Sequence, residues 1–174
     1  MRKMLIFMVA AAVLTVGCKG KDEVYKASDG SYSAVHHDAK WVITGPDGND
    51  LVPDCDSMRV VERGEDGHPS TVYCYKEGRQ TVLQFYSSMA LRMRGDVVDG
   101  RRDGLWQYFY ENGSPQVEAT YVDGREDGEY RVYRESGVPY YVGRYKAGAR
   151  VGVWEVYDAD GNLVEAKQTS GDVN

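Results

Sequence analysis

Histidine, cysteine and aspartate are the side chains in this sequence that could hold a metal ion or activate a nucleophile. His36 and His37 are adjacent, so a strand would point them to opposite faces and they could not share one ion. Cys55 lies between two aspartates, and His68 lies in a turn beside a glycine. No Gly-x-Ser-x-Gly elbow occurs, and no cysteine stands in a CxxC or with a suitable His and Asn series. We therefore predict no catalytic residue, no metal ligand and no cofactor.

Acidic turns raise the question of calcium. Residues 158–169 begin like an EF-hand loop, but the sixth position is Leu163 instead of Gly and the twelfth is Thr169 instead of Glu. Asp-Gly pairs at 47–48 and 66–67 are commoner in turns than in metal sites. We interpret all three segments as turns.

The N-terminal residues predict an export signal. Two basic residues precede an apolar run over residues 4–16, which is shorter than the ~20 residues that span a bilayer but suits a signal core. Gly17 and Cys18 end the run, and a polar segment follows. This arrangement resembles the bacterial lipoprotein signal, in which a small residue precedes the cysteine that is acylated, although Thr15 stands where that family usually has Leu.

The lipoprotein resemblance implies a signal peptide over residues 1–17, lipidation at Cys18 with palmitate-type chains, and membrane lipid as a partner. Lys19, rather than Asp, follows the cysteine, which resembles the pattern of enteric lipoproteins sent to the outer membrane. Such an anchor holds firmly because each buried methylene contributes about 0.8 kcal/mol. We therefore expect a lipid-anchored protein of the cell envelope, in the outer membrane. An ordinary cleaved signal is the alternative.

Cys55 and Cys74 remain as an even pair in a chain predicted to be exported. Such a pair favours a disulfide, which contributes about 3 kcal/mol in the chain-entropy model by closing the loop between the two cysteines. Two separate buried thiols are the alternative.

The charge of the chain argues against one class of partner. The sequence carries 21 basic and 27 acidic residues, for a net charge of −6. Phosphate contacts need Lys and Arg on one face, and the sequence contains no basic cluster. We therefore exclude nucleic acid.

A repeat of 24 residues without gaps fills the C-terminal part of the chain. Three of its columns are glycine: Gly100, Gly124 and Gly148; Gly104, Gly128 and Gly152; and Gly113, Gly137 and Gly161. Two further columns are aromatic: Trp106, Tyr130 and Trp154; and Phe109, Tyr133 and Tyr157. So many coincident columns at one period indicate a repeat array.

Each copy predicts a β-hairpin. In the first copy, Trp106 and Tyr108 share one face of a strand that ends in an Asn-Gly turn, and Gln116–Val122 returns to an Asp-Gly turn. Helix is excluded because each interior glycine costs about 1 kcal/mol relative to Ala. We assign the repeat glycines to turns. Neighbouring hairpins must stack, because one hairpin cannot bury its aromatic face alone.

Weaker copies extend upstream. Residues 67–79 match 113–125 at their Gly, Pro, Tyr and Arg positions, and Trp41 lies as far before a glycine as the repeat tryptophans do. The segment 78–100 is two residues shorter than the period and lacks the inner glycines. Residues 79–94 fit a degenerate hairpin, but their apolar spacing also fits one helix, and both interpretations stay open.

The two aromatic columns point to opposite faces of the predicted sheet. The column of Trp106 is either the thin core of the sheet, which we favour, or an exposed ladder on which sugar rings stack. The column of Phe109 is our candidate interaction face, because a thin sheet leaves one aromatic face partly exposed.

The pattern G-x-x-x-G-x-[WY]-x-x-[FY]-x-x-x-G in residues 100–168 resembles MORN repeats, in the variant found in bacterial proteins labelled YwqK-type antitoxins. The resemblance implies an all-β fold, an elongated antiparallel sheet of repeated β-hairpins. It also implies a role in protein contact or membrane association. The antitoxin label implies a toxin partner, but an exported, lipid-anchored protein is badly placed to neutralise a cytoplasmic toxin.

Together these features predict five segments: a signal peptide at 1–17, a tether at 18–29, divergent hairpin repeats at 30–99, three MORN-like repeats at 100–168 and a polar tail at 169–174. The predicted function is that of a non-catalytic envelope protein that binds or scaffolds a protein partner. Glycan binding, antitoxin-like inhibition of an exported toxin and envelope hydrolysis are the alternatives. The last strand is expected to be covered by the polar tail or to pair with another chain.

Overall fold

A computed structural model describes residues 23–27, 30, 32–37, 40–52 and 55–169. Three strands form a small antiparallel sheet: β1 Glu23–Lys26, β2 Ser33–His37 and β3 Lys40–Thr44. Ten strands form a large antiparallel sheet in sequence order: β4 Ser57–Arg63, β5 Pro69–Lys76, β6 Arg79–Phe85, β7 Leu91–Val98, β8 Arg101–Phe109, β9 Pro115–Val122, β10 Arg125–Tyr133, β11 Pro139–Lys146, β12 Ala149–Tyr157 and β13 Leu163–Thr169. The described residues contain no helix, and thus none that could cross a membrane. The prediction of an all-β sheet of repeated hairpins is confirmed.

Two kinds of turn alternate along the large sheet. At one end of the strands, neighbours are joined by two-residue turns in which both residues have positive φ, as do Asp99 (48°) and Gly100 (75°). This conformation matches the twist of the flanking strands, and glycine adopts it without steric cost. At the other end, five-residue turns are closed by backbone hydrogen bonds: the amide of Tyr110 donates to Ser114 (2.9 Å) and that of Gly113 donates to Tyr110 (2.9 Å). The predicted Asp-Gly and Asn-Gly turns therefore both form.

The assignment of every repeat glycine to a turn is wrong for one column. Gly104, Gly128 and Gly152 lie inside β8, β10 and β12, where they adopt positive φ. Close to each of these glycines, the pairing register with one neighbouring strand shifts by two residues, which makes a β-bulge. These bulges explain the 24-residue period. In the shorter segment 78–100, β6 pairs with β5 without any such shift.

Residues 79–94 form a hairpin and not a helix. β6 and β7 pair from Arg79–Val98 to Phe85–Leu91 around a five-residue turn. Met89 occupies the position that glycine takes in the other turns of this kind, with φ at 70°. Its side chain is buried in the main core, and this packing holds the residue in an uncommon conformation.

The folded part begins earlier than the sequence predicts. The expected tether at 18–29 contains β1, which pairs with β2. The range 30–99, predicted as divergent repeats, is split: β2 and β3 belong to the small sheet, and β4–β7 belong to the large one. The predicted signal peptide, Cys18 and residues 170–174 of the predicted tail lie outside the described residues. Thr169, placed in the tail, is the last residue of β13.

The small sheet packs on the first half of the large sheet and so creates the main core. Ile43 from the small sheet, and Val72 and Leu83 from the large sheet, are fully buried in one cluster. Burying an aliphatic side chain of this size contributes about 1.5–3 kcal/mol. A disulfide between Cys55 and Cys74, with a Cα–Cα distance of 5.6 Å, ties the segment before β4 to β5.

Beyond β9, the described part of the chain contributes little core. From Val122 to Thr169, Trp154 is the one buried residue, and every other residue is half-buried or exposed. The C-terminal hairpins therefore present both of their faces to solvent.

Candidate functional site

Alternation along the strands gives the large sheet two faces. The first, the tryptophan face, carries Trp106, Tyr121, Tyr130, Tyr145 and Trp154. The second, the charged face, carries Gln107, Phe109, Glu118, Glu129, Arg131, Tyr133, Glu155 and Tyr157. Cross-strand pairing fixes this division, because Trp106 and Tyr130 both pair with Ala119, whereas Gln107 and Arg131 both pair with Glu118.

On the tryptophan face, Trp106 lies against the backbone of the neighbouring strand β7. A Cβ atom added at Gly95 would come within 2.2 Å of the ring, so glycine is required there. The indole N–H donates a hydrogen bond to the backbone carbonyl of Asp96 at 3.0 Å. Trp106 is only 4% exposed, and the residues that bury it belong largely to its own sheet and not to a second layer.

The same contact between ring and glycine recurs two copies further along the sheet, although the buried indole N–H of Trp154 has no hydrogen-bond partner among the described residues. Trp154 is 3% exposed and lies over Gly143, where an added Cβ would again come within 2.2 Å of the ring. In the copy between them, the smaller ring of Tyr130 pairs with Ala119. The larger ring therefore lies opposite the smaller residue of the preceding strand: Trp lies opposite Gly, and Tyr lies opposite Ala.

Arginine side chains cover both tryptophans. The guanidinium carbon of Arg102 lies 4.3 Å from the ring centroid of Trp106, and that of Arg150 lies 4.7 Å from that of Trp154. A tyrosine also packs edge-on against each ring, at centroid distances of 6.2 Å and 5.0 Å. Cation–π contacts of this kind are favourable by about 0.5–2 kcal/mol. An exposed sugar-stacking ladder requires accessible tryptophans, so that hypothesis is wrong for Trp106 and Trp154.

On the charged face, hydrogen bonds and ion pairs order side chains across neighbouring strands. Glu118 accepts hydrogen bonds from Gln107 and from the Tyr133 hydroxyl, both at 3.0 Å. Arg131 pairs with Glu129 at 2.8 Å. Burial, and then the bond to Glu118, raise the pKa of Tyr133, while the hydrogen bond with Tyr133 and the charge of Glu129 raise the pKa of Arg131. The protein's own contacts therefore hold these side chains in defined orientations.

Tyr157 extends this ordered surface to β12. Its hydroxyl donates to Glu155 at 2.7 Å, and this bond raises the pKa of Tyr157. Two aliphatic side chains project from the same face, Leu105 at 51% exposure and Val153 at 49%. Tyrosine and arginine are enriched at protein interfaces and glutamate is depleted there, so the charged face combines residues of both kinds.

Phe109 differs from the other two members of the candidate interaction column. It packs, partly buried, against the main core beneath the small sheet. Its carbonyl also accepts a hydrogen bond from the Tyr86 hydroxyl at 2.8 Å. The column therefore divides: Phe109 borders the covered half of the sheet, and Tyr133 and Tyr157 lie on the open half.

Long side chains connect successive five-residue turns, a feature that the sequence analysis missed. A donor just after one strand reaches the carbonyl at the same place in the next copy: Tyr86 to Phe109 (2.8 Å), Tyr110 to Tyr133 (2.9 Å) and Arg134 to Tyr157 (2.8 Å). The donors recur at the repeat period, but the column mixes Tyr with Arg. The sequence could have revealed this column, because all three of its residues have a long side chain that ends in a hydrogen-bond donor.

The residues considered for metal binding or catalysis lie apart or serve their own turns. His68 is buried and contacts Asp66 of the same turn, and His36 stacks on Trp41 with centroids 4.8 Å apart. Asp158 accepts hydrogen bonds from two amides of its own turn, which caps the segment that resembles an EF-hand loop. Within the described ranges, no three His, Cys, Asp or Glu side chains are grouped so that they could hold a metal ion.

Comparisons with known proteins identify the repeat in two places. The family model described as "MORN repeat variant" matches residues 102–123 and 150–168, which contain most of β8–β9 and of β12–β13. Among solved structures, the chain is similar to one titled "Crystal Structure of TarM", at 13% identity over 78% of this chain and 19% of that chain, with a TM-score of 0.26. A likeness of this size carries no argument about fold or function. No curated protein matches the chain.

Proposed function

We propose that this chain is a non-catalytic binding module of the cell envelope, anchored in the outer membrane by lipid on Cys18, whose open repeats bind a protein partner through the charged face. The exposure of the C-terminal half of the sheet carries this proposal, since Trp154 is the one buried residue from Val122 to Thr169. A sheet that covers so little of its own surface can bury more by binding another molecule.

Preorganisation favours the charged face as the binding surface. The Tyr133 and Tyr157 hydroxyls are already bonded to Glu118 and Glu155, so binding would cost little side-chain entropy there. On the tryptophan face, by contrast, the largest rings are covered by the protein's own arginines. A protein also fits this surface better than nucleic acid does, because the chain has a net charge of −6.

The lipoprotein-like N-terminus supports the location of this binding module. Gly17-Cys18 after a short apolar run would leave an acylated cysteine five residues before Glu23, where β1 begins. The anchor and the small sheet would then form the membrane-proximal part, and the repeats would extend from it. The resemblance to YwqK-type antitoxins makes an exported toxin one class of partner to look for in the capture experiment below.

The anchor is tested with the full-length chain expressed in a bacterium. Cys18→Ser should release the protein from the membrane fraction, and mass spectrometry of the wild type should find Cys18 as an acylated N-terminal residue. A wild-type mature N-terminus at any other residue, without lipid, would overturn the anchor and leave the binding module untouched.

The binding face is tested by cross-linking in intact envelopes, followed by mass spectrometry of the captured proteins. The test variant is Tyr133→Ala/Tyr157→Ala on the charged face. The matched control is Tyr141→Ala/Tyr145→Ala, which removes two half-buried tyrosines from the tryptophan face. Circular dichroism of both variants checks the fold.

The proposal expects a protein that is captured by the wild type and the control but lost from the charged-face variant. Capture by both variants, or loss from the control alone, would place binding elsewhere on the sheet. If the wild type captures no protein but is retained by purified envelope glycans, the glycan alternative replaces the proposal.

A further inference from the structure

We propose that β13 pairs with β13 of a second copy of this chain, antiparallel about a twofold axis at Ala166, and so joins two ten-stranded sheets into one. This inference goes beyond the binding function above, because it uses the free edge of the sheet and neither of its faces.

β13 is the last strand of the large sheet, and β12 is its one strand neighbour among the described residues. Its outer edge therefore carries backbone N–H and C=O groups that have no strand to bind, which is the usual template for pairing with another chain. Residues 163–168 are all exposed, including Val164 at 60%. Residues 165–168 of this strand pair with β12 in one register, and an exposed stretch of this kind is well suited to accept a partner strand.

The opposite edge of the sheet is better protected than β13, whose one register shift lies beside its turn, between Leu163 and Glu165. β4 has register shifts between Val60 and Arg63, and such irregularities twist an edge away from further pairing. Arg63 also bonds to Gly67, Tyr25 and Glu23, which places part of the small sheet beside this edge. Protection at one end and exposure at the other single out β13.

Charge complementarity favours a second copy as the occupant. Glu165 and Lys167 lie on the same face of β13 and form no ion pair or side-chain hydrogen bond with the described residues. A twofold axis at Ala166 places Glu165 of each copy directly opposite Lys167 of the other, with Cβ atoms about 5 Å apart. An axis at Glu165 or at Lys167 would instead set like charges against each other. Ala166 is therefore the axis at which both charges of each strand are paired.

A charge-swap experiment on the full-length chain in detergent micelles tests the pairing by sedimentation equilibrium. Glu165→Lys and Lys167→Glu each turn both symmetric ion pairs into like-charge pairs, so each should weaken dimerisation at least tenfold. The double variant Glu165→Lys/Lys167→Glu restores opposite charges in exchanged positions and should recover the wild-type dimer. Circular dichroism of each single variant checks that it is folded.

A cross-linking experiment in the native membrane tests the register. Ala166→Cys should form a covalent dimer under mild oxidation, because the two Ala166 residues face each other on the axis. Leu105→Cys is the matched control, since Leu105 is similarly exposed at 51% but lies far from the edge. It should stay monomeric.

Several results would overturn the proposal. A wild-type chain that is monomeric at about 100 μM, a dimer indifferent to the single swaps, or a double swap that stays monomeric would each exclude this pairing. Dimerisation that appears only after removal of residues 170–174 would show that the tail occupies the edge. An Ala166→Cys cross-link to a different protein, with no homodimer, would assign the edge to that protein.

Discussion

The two halves of the large sheet are built from the same hairpins, yet they reach different structures. In β4–β7, side chains such as Val72 and Leu83 are fully buried beneath the small sheet. In β10–β13, the described residues provide no such cover, and Trp154 is the one buried residue. Strand pairing and turns are thus sufficient to define the sheet, and a covering layer decides whether a face becomes core or remains available.

The open half compensates by packing within its own layer. A ring that lies on the backbone of the neighbouring strand, as Trp154 lies on Gly143, excludes water without a second sheet. The covered half adds a core beneath the small sheet to this contact, which Trp106 also makes with Gly95 of β7, whereas the open half relies on the contact alone. The difference predicts which substitutions each half tolerates.

The largest effect expected is the loss of a buried aliphatic side chain from the covered half. Leu83→Ala should lower the free energy of unfolding by about 2–5 kcal/mol, because Leu83 is fully buried. The matched change Val142→Ala, on the same face of the open half, should cost about 0.5 kcal/mol, because Val142 is only half-buried. Urea unfolding measures both. Equal losses would mean that the open half is covered in solution.

Removal of the disulfide should weaken the covered half alone. Cys55→Ser/Cys74→Ser should cost about 3 kcal/mol in the chain-entropy model. Hydrogen exchange should quicken in β4–β6 and stay unchanged in β11 and β12, since the bond ties the segment before β4 to β5. Uniform quickening along the whole sheet would show that the two halves unfold as one unit.

Filling the glycine beneath a tryptophan should cost about 1–3 kcal/mol in either half, because the added methyl overlaps the ring. Gly95→Ala tests the site of Trp106, and Gly143→Ala tests that of Trp154. The matched rescue is Gly143→Ala/Trp154→Tyr, which recreates the pairing of Tyr130 with Ala119. Thermal unfolding that is no more favourable in the double variant than in Gly143→Ala would reject the size-matching rule.

The smallest effect concerns the tyrosine hydroxyl on the charged face. Tyr133→Phe removes the hydrogen bond to Glu118 and should cost about 1 kcal/mol. The folded-state pKa of Tyr133 is raised, so its contribution is present below the ordinary tyrosine pKa of about 10 and is lost as pH rises through the folded pKa. Stability measured above pH 10 should therefore fall less steeply in Tyr133→Phe than in the wild type. Parallel slopes would contradict this account.

The sequence predicted the features that are local and periodic. Asp-Gly and Asn-Gly pairs specify turns by their backbone preferences, and aromatic residues in register specify which side chains share a face. These two signals give the strands of the repeats, their order and the opposite orientation of Trp106 and Phe109.

The rest depended on contacts that one copy of the repeat does not encode. Gly104 resembles a turn glycine in composition, and only the slip in pairing shows that it forms a bulge. Phe109 belongs to the interaction column by period, but its packing is decided by the distant small sheet. The role of Gly95 and Gly143 was detectable in principle, because Gly95, Ala119 and Gly143 form a column of small residues that precedes the ring column by a constant interval.

The bulged 24-residue copy also fixes a unit of length. Each copy adds two strands, and neighbouring strands lie about 4.8 Å apart, so each copy lengthens the sheet by about 9.6 Å. The number of copies therefore sets the distance between the disulfide-linked core and β13. A chain that gained or lost one whole copy would move its free edge by that fixed step.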